Sequence, residues 1–159
     1  MKGLVSVLGG GESGVGAAVL AKKKGYRVWL SDNASIPSEY KQVLINNAID
    51  FEEGGHSSDR LVKSEVVVKS PGIPDNAGIV RLLIEHHIPV ISEIEFAGWF
   101  SKACKICVTG SNGKTTTTLL TNHILQHAGL DSIAAGNVGR SFADVVATRD
   151  PEIAVLEIS

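Results

Sequence analysis

Leu4-Val5-Ser6-Val7-Leu8-Gly9-Gly10-Gly11-Glu12-Ser13-Gly14-Val15-Gly16 decides how the first half of this chain folds. An apolar run of strand length stops at glycines. Val15 to Lys24 then continues with helical spacing and ends at Gly25, a residue suited to a left-handed helix cap. Gly9, Gly11 and Gly14 satisfy G-x-G-x-x-G between strand and helix. Asp32 closes the next apolar run, Val28 to Leu30, where an acid that binds ribose falls. A tight turn whose N–H groups converge at a helix N-terminus holds any diphosphate. The stretch therefore predicts a Rossmann-like unit and a nucleotide, without choosing a dinucleotide over another diphosphate.

Outward from this turn, strands and helices alternate. Pro37 to Asn47 reads as a helix. Val66 to Val68 reads as a third buried strand, halted by Ser70-Pro71-Gly72-Ile73-Pro74. Asn76 to His87 is helical, and Pro89 to Ser92 begins another strand. The theme then restarts, with strands at Ile106 to Val108, Ser132 to Ala134 and Ile153 to Ile158, and helices at Thr115 to His127 and Ser141 to Thr148. Continuous apolar runs alternating with helices imply parallel strands covered on both faces. The expected class is α/β, a Rossmann-like parallel-sheet domain over 1–93 followed by the start of a P-loop-type α/β ATPase domain over 94–159. The second unit is small, and the chain stops at Glu157-Ile158-Ser159 on a strand edge where ligand crevices form, so a continuation is expected.

The second motif is Val108-Thr109-Gly110-Ser111-Asn112-Gly113-Lys114-Thr115-Thr116. Glycines let amides converge on phosphate oxygens, and the helix that follows adds its unpaired donors. Lys114 reaches the outer phosphates, and the Thr115 hydroxyl is a Mg²⁺ ligand in such loops. Val108 stands where the full Walker spacing places a glycine, so the loop is a shortened relative. Gly136-Asn137-Val138-Gly139 follows the next strand and reaches towards the same crevice. Glu157 ends the last strand, where nucleotide-hydrolysing folds place a Mg²⁺-binding acid. Ser70 to Ile73 is either a rigid turn or a ligand loop, since Pro and Gly dictate the turn in both cases.

Composition narrows the class further. Hydrophobic content of 43% with 20% charged residues is that of a globular chain able to bury a core, and a net charge of −2 gives no reason to expect nucleic acid. No apolar run has the length of a membrane span, and the start leads into a strand rather than a signal peptide, so a cytoplasmic protein is expected. Cys104 and Cys107 straddle the start of a predicted buried strand and lack a second pair for zinc, which makes them structural thiols. His86-His87 has no metal spacing. Lys22 to Lys24 closes a helix as solvated cations. Glu93 and Glu95, with one residue between them, are either paired carboxylates sharing a strand face or part of a domain-joining linker.

In order and spacing, Thr109 to Thr116, the first glycine turn, Ser70-Pro71-Gly72-Ile73, Gly136 to Gly139 and Val155-Leu156-Glu157-Ile158-Ser159 resemble the Mur ligases, over the whole chain. The Ser-Asn-Gly-Lys and Ser-Pro-Gly-Ile segments favour the branch that adds D-glutamate. The resemblance implies a three-domain monomeric enzyme whose C-terminal domain is absent here. It implies ATP-driven amide formation through an acyl phosphate, joining D-glutamate to UDP-N-acetylmuramoyl-L-alanine in peptidoglycan synthesis. It places Glu12, Ser13 and Gly14 by the diphosphate, Asp32 and Asn33 near the uridine, and Ser70, Pro71, Gly72 and Ile73 along the uracil. Gly110, Ser111, Asn112, Gly113, Lys114, Thr115 and Thr116 would bind ATP, with Thr115 and Glu157 as Mg²⁺ ligands and Lys114, Asn137 and Glu157 as catalytic residues. It also implies that this stretch alone does not ligate. The competing expectation, built on Gly9, Gly11, Gly14 and Asp32, is an NAD-dependent oxidoreductase or nucleotide-sensing module, which leaves the 110–116 loop unexplained.

Overall fold

The computed structural model describes residues 2–158, in which eight strands form two parallel sheets. Ser159, the last residue of the Val155–Ser159 segment, lies outside the described residues. The first sheet contains β1 (Leu4–Leu8), β2 (Arg27–Ser31), β3 (Asp50–Glu52), β4 (Val66–Lys69) and β5 (Val90–Ser92), in the order β3-β2-β1-β4-β5. Its connections carry α1 (Glu12–Lys23), α2 (Ser38–Asn46), α3 (Ser58–Leu61) and α4 (Gly78–Glu85). The second sheet contains β6 (Cys104–Val108), β7 (Ser132–Gly136) and β8 (Ile153–Glu157), in the order β6-β8-β7, with α6 (Lys114–His127) and α7 (Phe142–Thr148). α5 (Glu93–Gly98) joins the two.

The apolar runs make the central strands. Val5, Val7, Val67, Val68 and Leu30 are fully buried, as expected of β-branched and aliphatic residues covered on both faces. β1 lies at the centre, and the strand order reverses between β1 and β4. That is the switch point where open α/β sheets bind ligands, beyond the carboxyl ends of the strands.

One hydrophobic cluster runs through both sheets, joining Val7, Leu20 and Leu30 to Phe96, Phe142, Val145 and Leu156. α1 packs directly on α7. Gly16 permits that approach, because a Cβ there would lie 2.3 Å from Ser141 Oγ and 3.1 Å from Asp144 N. A second cluster around Leu8, Leu61, Val67, Val80 and Leu83 covers the opposite face of the first sheet.

The structure departs from the sequence expectations in four places. β3 and α3 appear between α2 and β4. β3 is a three-residue edge strand with acids at both ends, and α3 is a single turn, so neither offers a periodic apolar pattern. Glu93 and Glu95 stand on the helix that joins the two sheets, not on a strand. Ser92 caps α5, its Oγ accepting from Glu95 N at 3.1 Å, and Ser92-x-x-Glu95 is a capping-box spacing. Cys104 and Cys107 are exposed free thiols rather than buried structural ones. β6 pairs only with β8, so an apolar run that reads as central is half open. No described helix is long and apolar enough to cross a membrane.

Candidate nucleotide-binding site

Parallel register brings the loops of the first sheet to one edge. Leu8 is level with Ser31 and Lys69, so the Gly9–Gly16 turn, Asp32 and Ser70 all leave the sheet together. A cleft of about 490 Å³ opens there, lined by Gly11, Glu12, Ser13, Asp32, Ser70 to Ile73 and, from the second sheet, Asn137. A further cavity of about 400 Å³ continues past Asp32, Asn33, His56 and Ile73. The structure therefore brings Gly9, Gly11, Glu12, Ser13, Asp32, Asn33 and Ser70 to Ile73 to one edge, with Gly14 packed against Gly9.

Four details show how the cleft is held. Asp32 accepts from Gly10 N at 2.5 Å and from Ala34 N at 2.8 Å, so its carboxylate ties the glycine turn to the loop after β2. Gly14 has no room for a side chain, because a Cβ would meet the Gly9 carbonyl oxygen at 1.9 Å. Ser70 Oγ is buried and unpartnered within the chain beside that turn, while Ile73 N donates to Ser70 O and closes the Ser70–Ile73 turn. Glu12 turns its carboxylate to Ser141 N, at 3.0 Å.

The loop from Thr109 to Gly113 lies at the corresponding edge of the second sheet. Gly113 is in the left-handed region (φ 77°) and caps α6, and the loop from Gly110 to Gly113 is exposed, as are Thr115 and Thr116. Lys114 Nζ folds back onto the Gly110 carbonyl at 2.7 Å. Register places Val108, Glu157 and Gly136 side by side across β6, β8 and β7. Glu157 is thus adjacent to the strand that feeds the loop, and Asn137 N donates to Glu157 O at 3.1 Å. Glu157 is buried, and its Oε2 has no hydrogen-bond partner among the described residues. No group of three His, Cys, Asp or Glu side chains able to hold a metal occurs among the described residues. Asn137 belongs to both edges, lining the first cleft while hydrogen-bonded to the strand that carries Glu157.

Sequence reading missed His56 and Lys69 near the site, and it named Glu93 without its partner or its burial. His56 Nδ1 lies 2.6 Å from Ser31 Oγ, which in turn lies 2.7 Å from Glu52 Oε1. Burial pushes the Glu52 carboxyl up, but hydrogen bonds from Ser57, Ser31 and Trp29 outweigh it and hold the group below its ordinary range. Ser31 therefore donates to Glu52, which leaves its Oγ free to accept from His56 Nδ1. Lys69 bridges the Ile73 carbonyl, at 2.6 Å, and Asp75, at 3.2 Å, clamping the Ser70–Ile73 turn. Glu93 is 3% exposed and accepts from Ala143 N. Burial pushes its carboxyl up to about 7, against the Ala143 hydrogen bond and with the help of the Glu12 and Asp144 charges. None of these contacts follows a local pattern. The only signal available was the presence of polar residues beside strand ends.

The Rossmann-like sheet, the Ser-Pro-Gly-Ile turn facing its glycine turn and the glycine-lysine loop with a level strand-end acid accompany a likeness to the Mur ligases that runs over the whole chain. Residues 5–79 match the MurD N-terminal domain. The chain is 50% identical over 159 residues to UDP-N-acetylmuramoylalanine--D-glutamate ligase of Bacteroides fragilis, covering 100% of this chain and 36% of that protein. The corresponding ligase of Christiangramia forsetii is 49% identical over 155 residues, covering 98% and 35%. The chain thus spans about a third of the length of these relatives. Among solved structures, a pseudomurein peptide ligase type C from Methanothermus fervidus matches with a TM-score of 0.58 and 26% identity, covering 98% of this chain and 32% of that one. UDP-N-acetylmuramate-alanine ligase from Thermotoga maritima shares the fold, with a TM-score of 0.57 at 21% identity over 96% of this chain and 36% of that chain. These likenesses favour the Mur reading over the dinucleotide oxidoreductase that the glycine fingerprint also allows.

Proposed function

We propose that this chain forms the UDP-sugar-binding and phosphate-binding part of an ATP-dependent ligase that joins D-glutamate to UDP-N-acetylmuramoyl-L-alanine in peptidoglycan precursor synthesis. The observation that carries this reading is Asn137, which lines the first cleft yet is hydrogen-bonded to the strand that ends in Glu157. It links a nucleotide-sugar site to a phosphate site across one short loop. In this reading residues 1–93 hold the UDP moiety and residues 94–159 begin the ATP-binding unit. The amides of Glu12, Ser13 and Gly14 face the diphosphate, and Asp32, Asn33 and the Ser70–Ile73 turn surround the uridine. Gly110 to Thr116 cradle the ATP phosphates through amides at the start of α6, and Lys114 exchanges the Gly110 carbonyl for an outer phosphate oxygen.

Thr115 and the unpartnered Glu157 oxygen would hold Mg²⁺, which when bound neutralises phosphate charge. Asn137 orients the substrate between the two nucleotides. The phosphoryl group moves to the alanyl carboxylate, and the D-glutamate amine then displaces phosphate. For this chain the work lies in alignment and charge placement, which supply most of phosphoryl-transfer catalysis.

Calorimetric titration of the chain with UDP, UDP-N-acetylmuramoyl-L-alanine, NAD⁺ and ATP–Mg²⁺ tests the reading. Binding of the two uridine ligands is expected. Tight binding of NAD⁺ with no response to either uridine ligand overturns it.

A further inference from the structure

We propose that Glu93 is a positioning residue that, through α7, sets the Gly136–Arg140 segment and with it Asn137 against the nucleotide cleft. The proposal rests on the UDP-sugar reading of that cleft and adds a residue outside it.

Two carboxylates from elements of the first half hold the start of α7. Glu93, the first residue of α5, accepts from Ala143 N, and Glu12, the first residue of α1, accepts from Ser141 N at 3.0 Å. Ser141 Oγ takes the next amide, Asp144 N, at 3.2 Å. α7 has seven residues, too few to be stable by its own hydrogen bonds, so these acceptors and its buried face fix where it begins. The chain just upstream is tied closely to that start. Gly136 N donates to Arg140 O at 3.2 Å, and Ala135 bridges to Arg140. Gly136, Asn137 and Gly139 of this closed segment line the cleft. A displacement of α7 is therefore carried into the wall that Asn137 forms.

Glu93 also borders a cavity of about 270 Å³ that shares Pro71 and Asn137 with the cleft. The charged groups around it are Glu12 from α1, Asp144 from α7 and Lys69 from the end of β4. Asp144 is paired with Arg140 at 2.6 Å, and Lys69 is engaged by Ile73 and Asp75. Glu93 is thus a carboxyl in acidic, desolvated surroundings whose protonation responds near neutrality. An apolar side chain would fill the same space but leave Ala143 N without an acceptor.

The test compares the chain with its Glu93→Gln and Glu93→Ala variants by amide NMR across neutral pH and by UDP titration. In the parent, the Ala143 amide resonance should titrate with Glu93. Glu93→Ala should abolish that titration, move the Asn137 and Gly139 resonances and weaken UDP binding about tenfold. Glu93→Gln, which keeps an acceptor, should retain affinity within about twofold while losing the pH step. If Glu93→Ala lowers thermal stability but leaves the Asn137 and Gly139 resonances and UDP affinity unchanged, Glu93 is only a buried support and the proposal falls. If the parent binds neither UDP nor UDP-N-acetylmuramoyl-L-alanine and binds NAD⁺ tightly, the functional reading falls instead. The resonances then decide alone: movement supports the positioning role, and their constancy overturns it.

Discussion

At single residues, two positions carry the sharpest consequences. Gly14 packs against the carbonyl of Gly9, with no space for a methyl group. Gly14→Ala should shift the glycine turn and destabilise the chain by about 3 kcal/mol, read from urea unfolding, and abolish uridine-ligand binding in calorimetry. Glu93 titrates at about 7 in the folded chain against an ordinary 4.5. Across that window the folded state binds more protons than the unfolded one, so its contribution to stability falls as pH rises and levels off above 7. The loss should be about 3 kcal/mol, seen as a pH slope in the parent that Glu93→Gln removes. The Gly14 requirement was legible in the fingerprint spacing. The Glu93 environment was not, because burial and its Ala143 partner, fifty residues away, are products of packing.

Among the elements, legibility followed apolar periodicity and capping. The strands and helices with long apolar patterns appear where the sequence places them, with ends moved by a few residues. β3 escaped because an edge strand needs little apolar content. α5 escaped although Ser92-x-x-Glu95 announced it. β6 shows the opposite error, in which a buried-looking run is exposed on one side. Cys104 and Cys107 are three residues apart on that strand, so their side chains leave opposite faces and cannot share a metal or a disulfide. Both should react with a thiol reagent in the native chain, giving two equivalents before unfolding. A titre of zero would place them back in a core.

For the whole molecule, the decisive feature is one core shared by two sheets. α1, which opens at the glycine turn, packs on α7, which follows the Asn137 segment, and Gly16 marks their closest approach. Gly16→Leu should force them apart. Urea unfolding followed by hydrogen exchange should then split into two steps, with the second sheet opening first, whereas the parent should unfold in one. A single transition in the variant would show that the shared core does not depend on this contact.

The local chemistry was written along the chain. Glycine spacing, strand-end acids, the Ser-Pro-Gly-Ile turn and Lys114 with its glycines announced two loop-lined sheet edges, because each rests on residues a few positions apart. Their relation was decided by folding. Parallel register set Glu157 beside Val108 and Gly136, and the α1–α7 contact brought Asn137 into the first cleft. Burial then turned Glu93 from an ordinary surface-type acid into a clamp on α7. Such relations depend on distances between residues remote in sequence and on exclusion of water, and neither leaves a local pattern to read.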